Sequence, residues 1–393
     1  MINAEEGPKL ADMKAASISK SERIHSLDVL RGFSLLGILM VNIFDFSGPQ
    51  LYRSSLVQSG GGLDRLVEIF VFVFAQASFY PLFTFLFGAG GVMFYKRIGE
   101  KGLFPERFFA RRMTGLLIIG VLHAFFIWHG DILISYALIG FLFMLFIEKS
   151  AKALAVWSLS LIFIPNILFS LLLAGDGAVP NADDNTERIT AVYQSGSFSE
   201  IMGQRAEDWF YVNNPIMAPF IVLSILPMFL LGAYAMKRGW FERSPSEETI
   251  KKWLVIALIT GPSGILIKTM PVLDPQSGLW SYLHQSIGGP LLTMFYITAI
   301  LAAVQKLGFK KVYKPFAYAG RASMSNYLLQ SLILTMLFYS YGFGLYGTMT
   351  SFQAILTGTG VYIILLAASY YWFKRFEQGP AERWWRWFVY RRS

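Results

Sequence analysis

The chain has 393 residues, of which 54% are hydrophobic and only 15% charged, and its mean hydropathy is +0.48. A soluble domain carries roughly 25% charged residues, so this composition excludes an ordinary soluble enzyme and predicts an all-α polytopic membrane protein. There is no cysteine, which excludes disulfides, cysteine nucleophiles and thiolate metal sites.

In chain order, residues 1–25 form a polar tail of mixed charge with no cleavable signal peptide. A helix needs about 20 mostly apolar residues to span a bilayer. Ten stretches qualify: 30–47, 79–95, 113–128, 131–147, 153–174, 216–236, 253–270, 287–305, 322–341 and 353–373. The apolar stretch 63–76 reads as a helix that leads into the second span, at the interface or partly inserted. Residues 26–373 thus form one transmembrane domain. Its long outer loop, 175–215, carries Asp176, Asp183, Asp184, Glu187, Glu200, Glu207 and Asp208 and has room for one or two short helices. Residues 374–393 form an amphipathic tail.

The net charge of +9 suggests either nucleic acid or basic cytoplasmic loops. With both termini in the cytoplasm, 28 of the 34 Lys and Arg residues fall in inside segments and 4 in outside ones, as the positive-inside rule requires. The basic residues are scattered over six short segments, so no nucleic-acid partner is expected. Membrane lipids are. A homodimer is left open, and a bacterial inner membrane is the expected location.

Ionisable and amide side chains inside spans are costly, so they normally face a cavity or a partner. Asp28 and Arg31 lie three apart at the cytoplasmic end of the first span, on one helix face. Either they pair at the interface or they form a mouth that greets an anionic group. Asn42 continues that polar stripe. In the second span, Gly88, Gly90 and Gly91 suit close helix packing better than a phosphate cradle. Next comes "GVLHAFFIWHGDILISYALIG", with His123, His129 and Asp131 within nine positions. A histidine beside a carboxylate is the core of a general base and its orienter. The plainer reading is a buried helix contact with Asp131 capping the fourth span. His129 and Asp131 are expected at the rim, and a two-His-one-carboxylate metal site lacks further ligands. Arg321 stands at the cytoplasmic entrance of the ninth span, with Asn326 and Gln330 stacked four apart on one face beyond it, where the plainer reading is hydrogen bonding between helices. The tail "RFEQGPAERWWRWFVYRRS" starts a helix at Pro380. It reads as an interfacial helix for an anionic lipid surface, with Glu382–Arg386 as an i,i+4 pair.

The segments "LDVLRGFSLLGILMVNI", "FYPLFTFLFGAG", "GVLHAFFIWHGDILISYALIG", "GRASMSNYLLQSLI" and "FEQGPAERWWRW" together resemble the YeiB family of bacterial inner-membrane proteins, which carries the DUF418 domain. The family pattern H-x(6)-G-D-I-L falls on His123, Gly130 and Asp131. More distantly, the first two of these segments are similar to helices of the transmembrane acyltransferase superfamily that includes heparan-α-glucosaminide N-acetyltransferase. That enzyme moves an acetyl group from cytosolic acetyl-CoA to a sugar amine across the membrane. Its catalytic histidine lies between these two helices, whereas residues 48–78 here contain none. Either His123 takes that role or the chemistry differs.

The resemblance implies a membrane-embedded acyltransferase with acyl-CoA or acetyl-CoA as donor, no metal, and a small-molecule, sugar or lipid acceptor at the outer face. His123 and Asp131 are the expected catalytic residues. Asp28, Arg31, Asn42, Arg321, Asn326 and Gln330 are the expected donor-binding residues. The rival is a proton-coupled transporter or flippase that uses the same polar stripe.

Overall fold

Every regular element in the described residues is helical, as the apolar runs require, because a lipid-embedded backbone must satisfy its own hydrogen bonds. The computed structural model describes residues 24–53, 57, 61–173, 186–242, 244–307 and 311–391. The polar tail before residue 24, and Asp176, Asp183 and Asp184 of the long loop, lie outside them.

In chain order the helices are α1 (His25–Ser47), α2 (Gly62–Phe74), α3 (Phe79–Glu100), α4 (Pro105–Phe126), α5 (Leu133–Phe143), α6 (Ala151–Leu173), α7 (Thr186–Ser195), α8 (Phe198–Val212), α9 (Ala218–Lys237), α10 (Glu247–Leu273), α11 (Gly278–Leu283), α12 (Gly289–Lys306), α13 (Lys314–Arg321), α14 (Ser323–Phe338), α15 (Ser351–Arg375) and α16 (Pro380–Tyr390). A π-turn, His284–Gly288, joins α11 to α12. Among the described residues, eight helical stretches are long and apolar enough to cross a membrane, and the protein is an all-α polytopic membrane protein.

Two expected spans differ from this pattern. The stretch 131–147 contains only the 11-residue α5, followed by turns over 144–148. The stretch 322–341 contains the 16-residue α14. At 1.5 Å per residue they rise about 16 and 24 Å, short of the roughly 30 Å hydrocarbon core. Each buries one face against the bundle, with Tyr136, Ala137 and Phe143 of α5 and Tyr327, Leu334 and Phe338 of α14 among the buried residues, and leaves the other face exposed.

Close packing explains most of the glycines in the spans. A Cβ at Gly88 of α3 would stand 2.0 Å from the Phe229 carbonyl oxygen of α9, and one at Gly232 of α9 would stand 1.9 Å from that of Phe85. The same reciprocal contact joins α1 to α13, through Gly32 against Phe316 and Gly320 against Asp28.

The stretch 63–76 is indeed a helix leading into the second span. Its acids face the start of α15, where the helix has unsatisfied N–H groups and a positive dipole end. Asp64 accepts the Phe352 N–H at 2.7 Å, and the Ser351 hydroxyl donates to Glu68 at 2.6 Å. Between α2 and α3 the chain turns through Ala77, at φ 56°. The fully buried Lys268 holds that elbow by donating to the Gln76 carbonyl, with His284 Nε2 3.4 Å from its Nζ.

The tail helix α16 does more than lie on a surface. Glu382 turns inward to the start of α14, accepting from the Met324 N–H at 2.8 Å, the Ser325 N–H at 3.2 Å and the Ser325 hydroxyl. Trp385 Nε1 donates to the Arg112 carbonyl at 2.8 Å, and Val389 is buried. The tail therefore closes one end of the bundle.

Candidate active-site cavity

A cavity of about 250 Å³ opens at the end of the bundle that gathers the basic residues. Its mouth carries Arg31, Arg97, Lys101, Arg112, Arg321 and Arg386. Two acids, Asp28 and Glu382, also line it. Asp28 lies 3.6 Å from Arg31 across one helical turn, and Glu382 is held by the start of α14. The mouth is therefore strongly positive. Arg112 is clamped between aromatic faces, 4.8 Å from the Phe94 and Trp385 ring centres. Arg321 stacks 3.9 Å over Phe373. Such stacking fixes a guanidinium without neutralising it. Gly90 borders the cavity, with Arg31 beside it, whereas Gly88 serves packing.

Deeper in, the walls become apolar: Leu35 and Ile38 of α1, Phe83 and Phe87 of α3, Leu116 of α4 and Leu133 of α5. The α1 wall runs from Ile24 to Ile38, about 21 Å along the helix. Two tyrosines close the blind end. Tyr136 donates to the Tyr80 carbonyl at 2.9 Å and lies 2.6 Å from the Thr84 hydroxyl. Tyr327 reaches the Gly130 carbonyl at 3.4 Å.

Behind Tyr327 stands His123, with ring centres 4.9 Å apart. His123 Nδ1 lies 2.8 Å from Asp131 Oδ2, and both side chains are fully buried. The other carboxylate oxygen accepts the Ile134 N–H at 2.8 Å, so Asp131 both caps α5 and orients His123. Because an ionised carboxylate only accepts, it assigns the proton to Nδ1 and leaves the Nε2 lone pair free. His123 Nε2 is buried and has no hydrogen-bond partner among the described residues.

The other predicted residues divide. Asp28, Arg31 and Arg321 meet at the mouth. Asn42 is half-buried, one turn beyond the last α1 residue of the cavity wall. Asn326 donates to the Ala319 carbonyl at 3.0 Å and to Ser369 at 2.9 Å, a contact between helices. Gln330 is buried one turn beyond Asn326, and neither end of its amide has a partner among the described residues. None of these three borders the cavity.

His129, like Asp131, is buried rather than exposed at the rim. It turns away from Asp131 to Asp208, 3.5 Å distant. Burial pushes its pKa down, partly offset by that carboxylate. The two histidines and Asp131 thus do not converge on one point.

Asp208, 1% exposed, is the hub of a second cluster at the opposite end from the basic mouth. It accepts from Tyr52 at 2.6 Å, Tyr193 at 2.5 Å and Gln204 at 2.7 Å. Arg205, also buried, donates to the Phe125 carbonyl at 3.2 Å. Helices α7 and α8 of the long loop therefore seal polar groups against the span ends. Gln204 and Asp208 are one turn apart on α8, a spacing legible in "QRAED". Their partner Tyr52, 156 positions away, is not legible.

The model of the family described as "Protein of unknown function (DUF418)" matches residues 235–392. YxaH of Bacillus subtilis (strain 168) is 34% identical over 385 residues, covering 93% of this chain and 94% of its own length. A 39.9 kDa protein encoded in the amylase 3′ region of Bacillus acidopullulyticus is 27% identical over 96% of each chain. YeiB of Escherichia coli (strain K12) is 26% identical, over 93% of this chain and 96% of its own. With this full-length similarity, the chain belongs to the DUF418 family, alongside YxaH and YeiB.

Proposed function

We propose that the protein is a membrane-embedded acyltransferase of the bacterial inner membrane, with both termini cytoplasmic. It moves an acyl group from a cytosolic acyl-CoA to an acceptor hydroxyl or amine on the outer side. The observation that carries this reading is one cavity that joins a strongly basic mouth to an apolar blind end, with the His123–Asp131 pair directly behind it. The charge asymmetry suits an anionic amphiphile, phosphates outermost. A cavity of about 250 Å³ suits the acyl and pantetheine arm, leaving the nucleotide at the arginine-rich mouth.

For a hydroxyl acceptor, His123 Nε2 takes the proton as the oxygen attacks the thioester carbon. The C–O bond forms, the C–S bond breaks, and the proton passes to the leaving thiolate. The Tyr327 phenol is the candidate donor to the developing oxyanion. The contact of Tyr327 with the Gly130 carbonyl is long, 3.4 Å, and would be exchanged for the oxyanion, whereas Asn326 is held by Ala319 and Ser369 at 3.0 and 2.9 Å.

A ligand of the native state raises apparent stability. Acetyl-CoA or a longer acyl-CoA is therefore expected to raise the Tm of the purified protein. The double variant Arg31→Gln/Arg97→Gln should reduce that shift. No shift across a panel of chain lengths would refute the reading. The transport alternative draws on one observation, the buried Lys268 beside His284, since intramembrane ionisable groups mark proton paths. Proton-driven uptake by proteoliposomes without acyl transfer would favour it.

A further inference from the structure

The tail helix α16 separates two recesses. One is the cavity, which Glu382, Trp385 and Val389 help to line. The other is a surface groove of about 680 Å³ on the opposite flank, between α16 and the end of α15. Its walls include Trp372, Phe376, Arg383, Trp384, Arg386 and Trp387. Arg386 and Tyr390 border both recesses.

The aromatic members of the groove are not packed away. Phe376 is 46% exposed and Trp387 52%. In water this would be an apolar patch. At a membrane surface, tryptophan sits at headgroup level, with its ring in the acyl boundary and its N–H toward the polar layer. The groove begins where the spanning helix α15 ends, at Arg375, and that is headgroup depth. Its charged members are two arginines and one glutamate, Glu377, so it favours an anion. A guanidinium pair also matches phosphate oxygens in geometry.

We propose that this groove is a binding site for an anionic phospholipid of the leaflet at the basic end. The phosphate would lie between Arg383 and Arg386 and the acyl chains would run past Trp384 and Trp387. Phosphatidylglycerol is a suitable probe. Arg386 borders both recesses, so the test rests on Arg383, which borders the groove and not the cavity and separates this site from the acyl-transfer reading.

The test uses the full chain in nanodiscs of phosphatidylcholine alone, and of phosphatidylcholine and phosphatidylglycerol in equal parts. Wild-type protein is expected to melt about 3–5 °C higher with phosphatidylglycerol. Arg383→Gln should lose at least half of that gain while melting normally in phosphatidylcholine. Lys251→Gln/Lys306→Gln, which removes more charge elsewhere on the same end, should keep it. Native mass spectrometry supplies a readout that does not depend on melting. Wild type should retain one phosphatidylglycerol under activation that strips the others, and Arg383→Gln should retain none. An equal loss in the lysine control, a gain reproduced by millimolar inorganic phosphate, or undiminished retention by Arg383→Gln would overturn the proposal.

Discussion

Asp131→Asn is expected to lower acyl transfer by about 10³–10⁴-fold while leaving the protein folded, because the wrong tautomer alone has a cost of that order. The carboxylate now accepts from His123 Nδ1 at 2.8 Å and from the Ile134 N–H at 2.8 Å. An asparagine can keep its oxygen on Ile134 and so preserve the cap on α5. Its amide N–H then faces His123 Nδ1, which must become the acceptor. The ring proton moves to Nε2, and the lone pair needed to take a proton from the acceptor is gone. His123→Gln should be as inactive and should insert normally. The double variant should be no worse than the worse single one, since residues acting as a unit are non-additive. Turnover and Tm of the three variants check this together. Wild-type turnover in Asp131→Asn would remove the base from the account.

The largest loss of stability is expected at Asp208. Removing its carboxylate by Asp208→Ala strands the donors of Tyr52, Tyr193 and Gln204. Of these, Tyr193 and Gln204 are buried, and a buried donor left without an acceptor costs about 1–3 kcal/mol, so the total is at least about 2 kcal/mol. Tm should fall by about 2–7 °C. Asp208→Asn, which retains one acceptor oxygen, should lose less than half as much. Thermal denaturation in detergent measures both, and equal Tm values for the two variants would contradict the hydrogen-bond explanation.

The long spans were legible because a run of about 20 apolar residues has few alternatives to crossing a bilayer. The early end of α5 was not. "FLFMLFIEKS" remains apolar past Phe143, and hydropathy reports composition, not whether the backbone continues as a helix. In the turns over 144–148 only Ile147 is buried, and Leu145 is 69% exposed. The His123–Asp131 pair was legible because eight residues separate the partners across a short turn between two helices. The cavity's blind end was not, because Tyr136 and Tyr327 are ordinary aromatics until α5 and α14 bring them together. Spacing also misdirected the reading of Glu382. Its i,i+4 relation to Arg386 suggested a surface pair, but the open N–H groups at the start of α14 hold the carboxylate instead. Asn326 was open to two readings. A polar residue in an apolar helix suits either a ligand or a neighbouring helix, and the structure gives it the neighbouring helix through Ser369.

The most direct measurement is a cryo-electron-microscopy map of the protein saturated with a non-hydrolysable acyl-CoA analogue. The account predicts phosphate density among Arg31, Arg97 and Arg321. It also predicts an acyl arm running past Leu35 and Phe87, with its carbonyl against Tyr327 on the side facing His123. An analogue bound elsewhere, or a cavity that stays empty at saturating concentration, would contradict it.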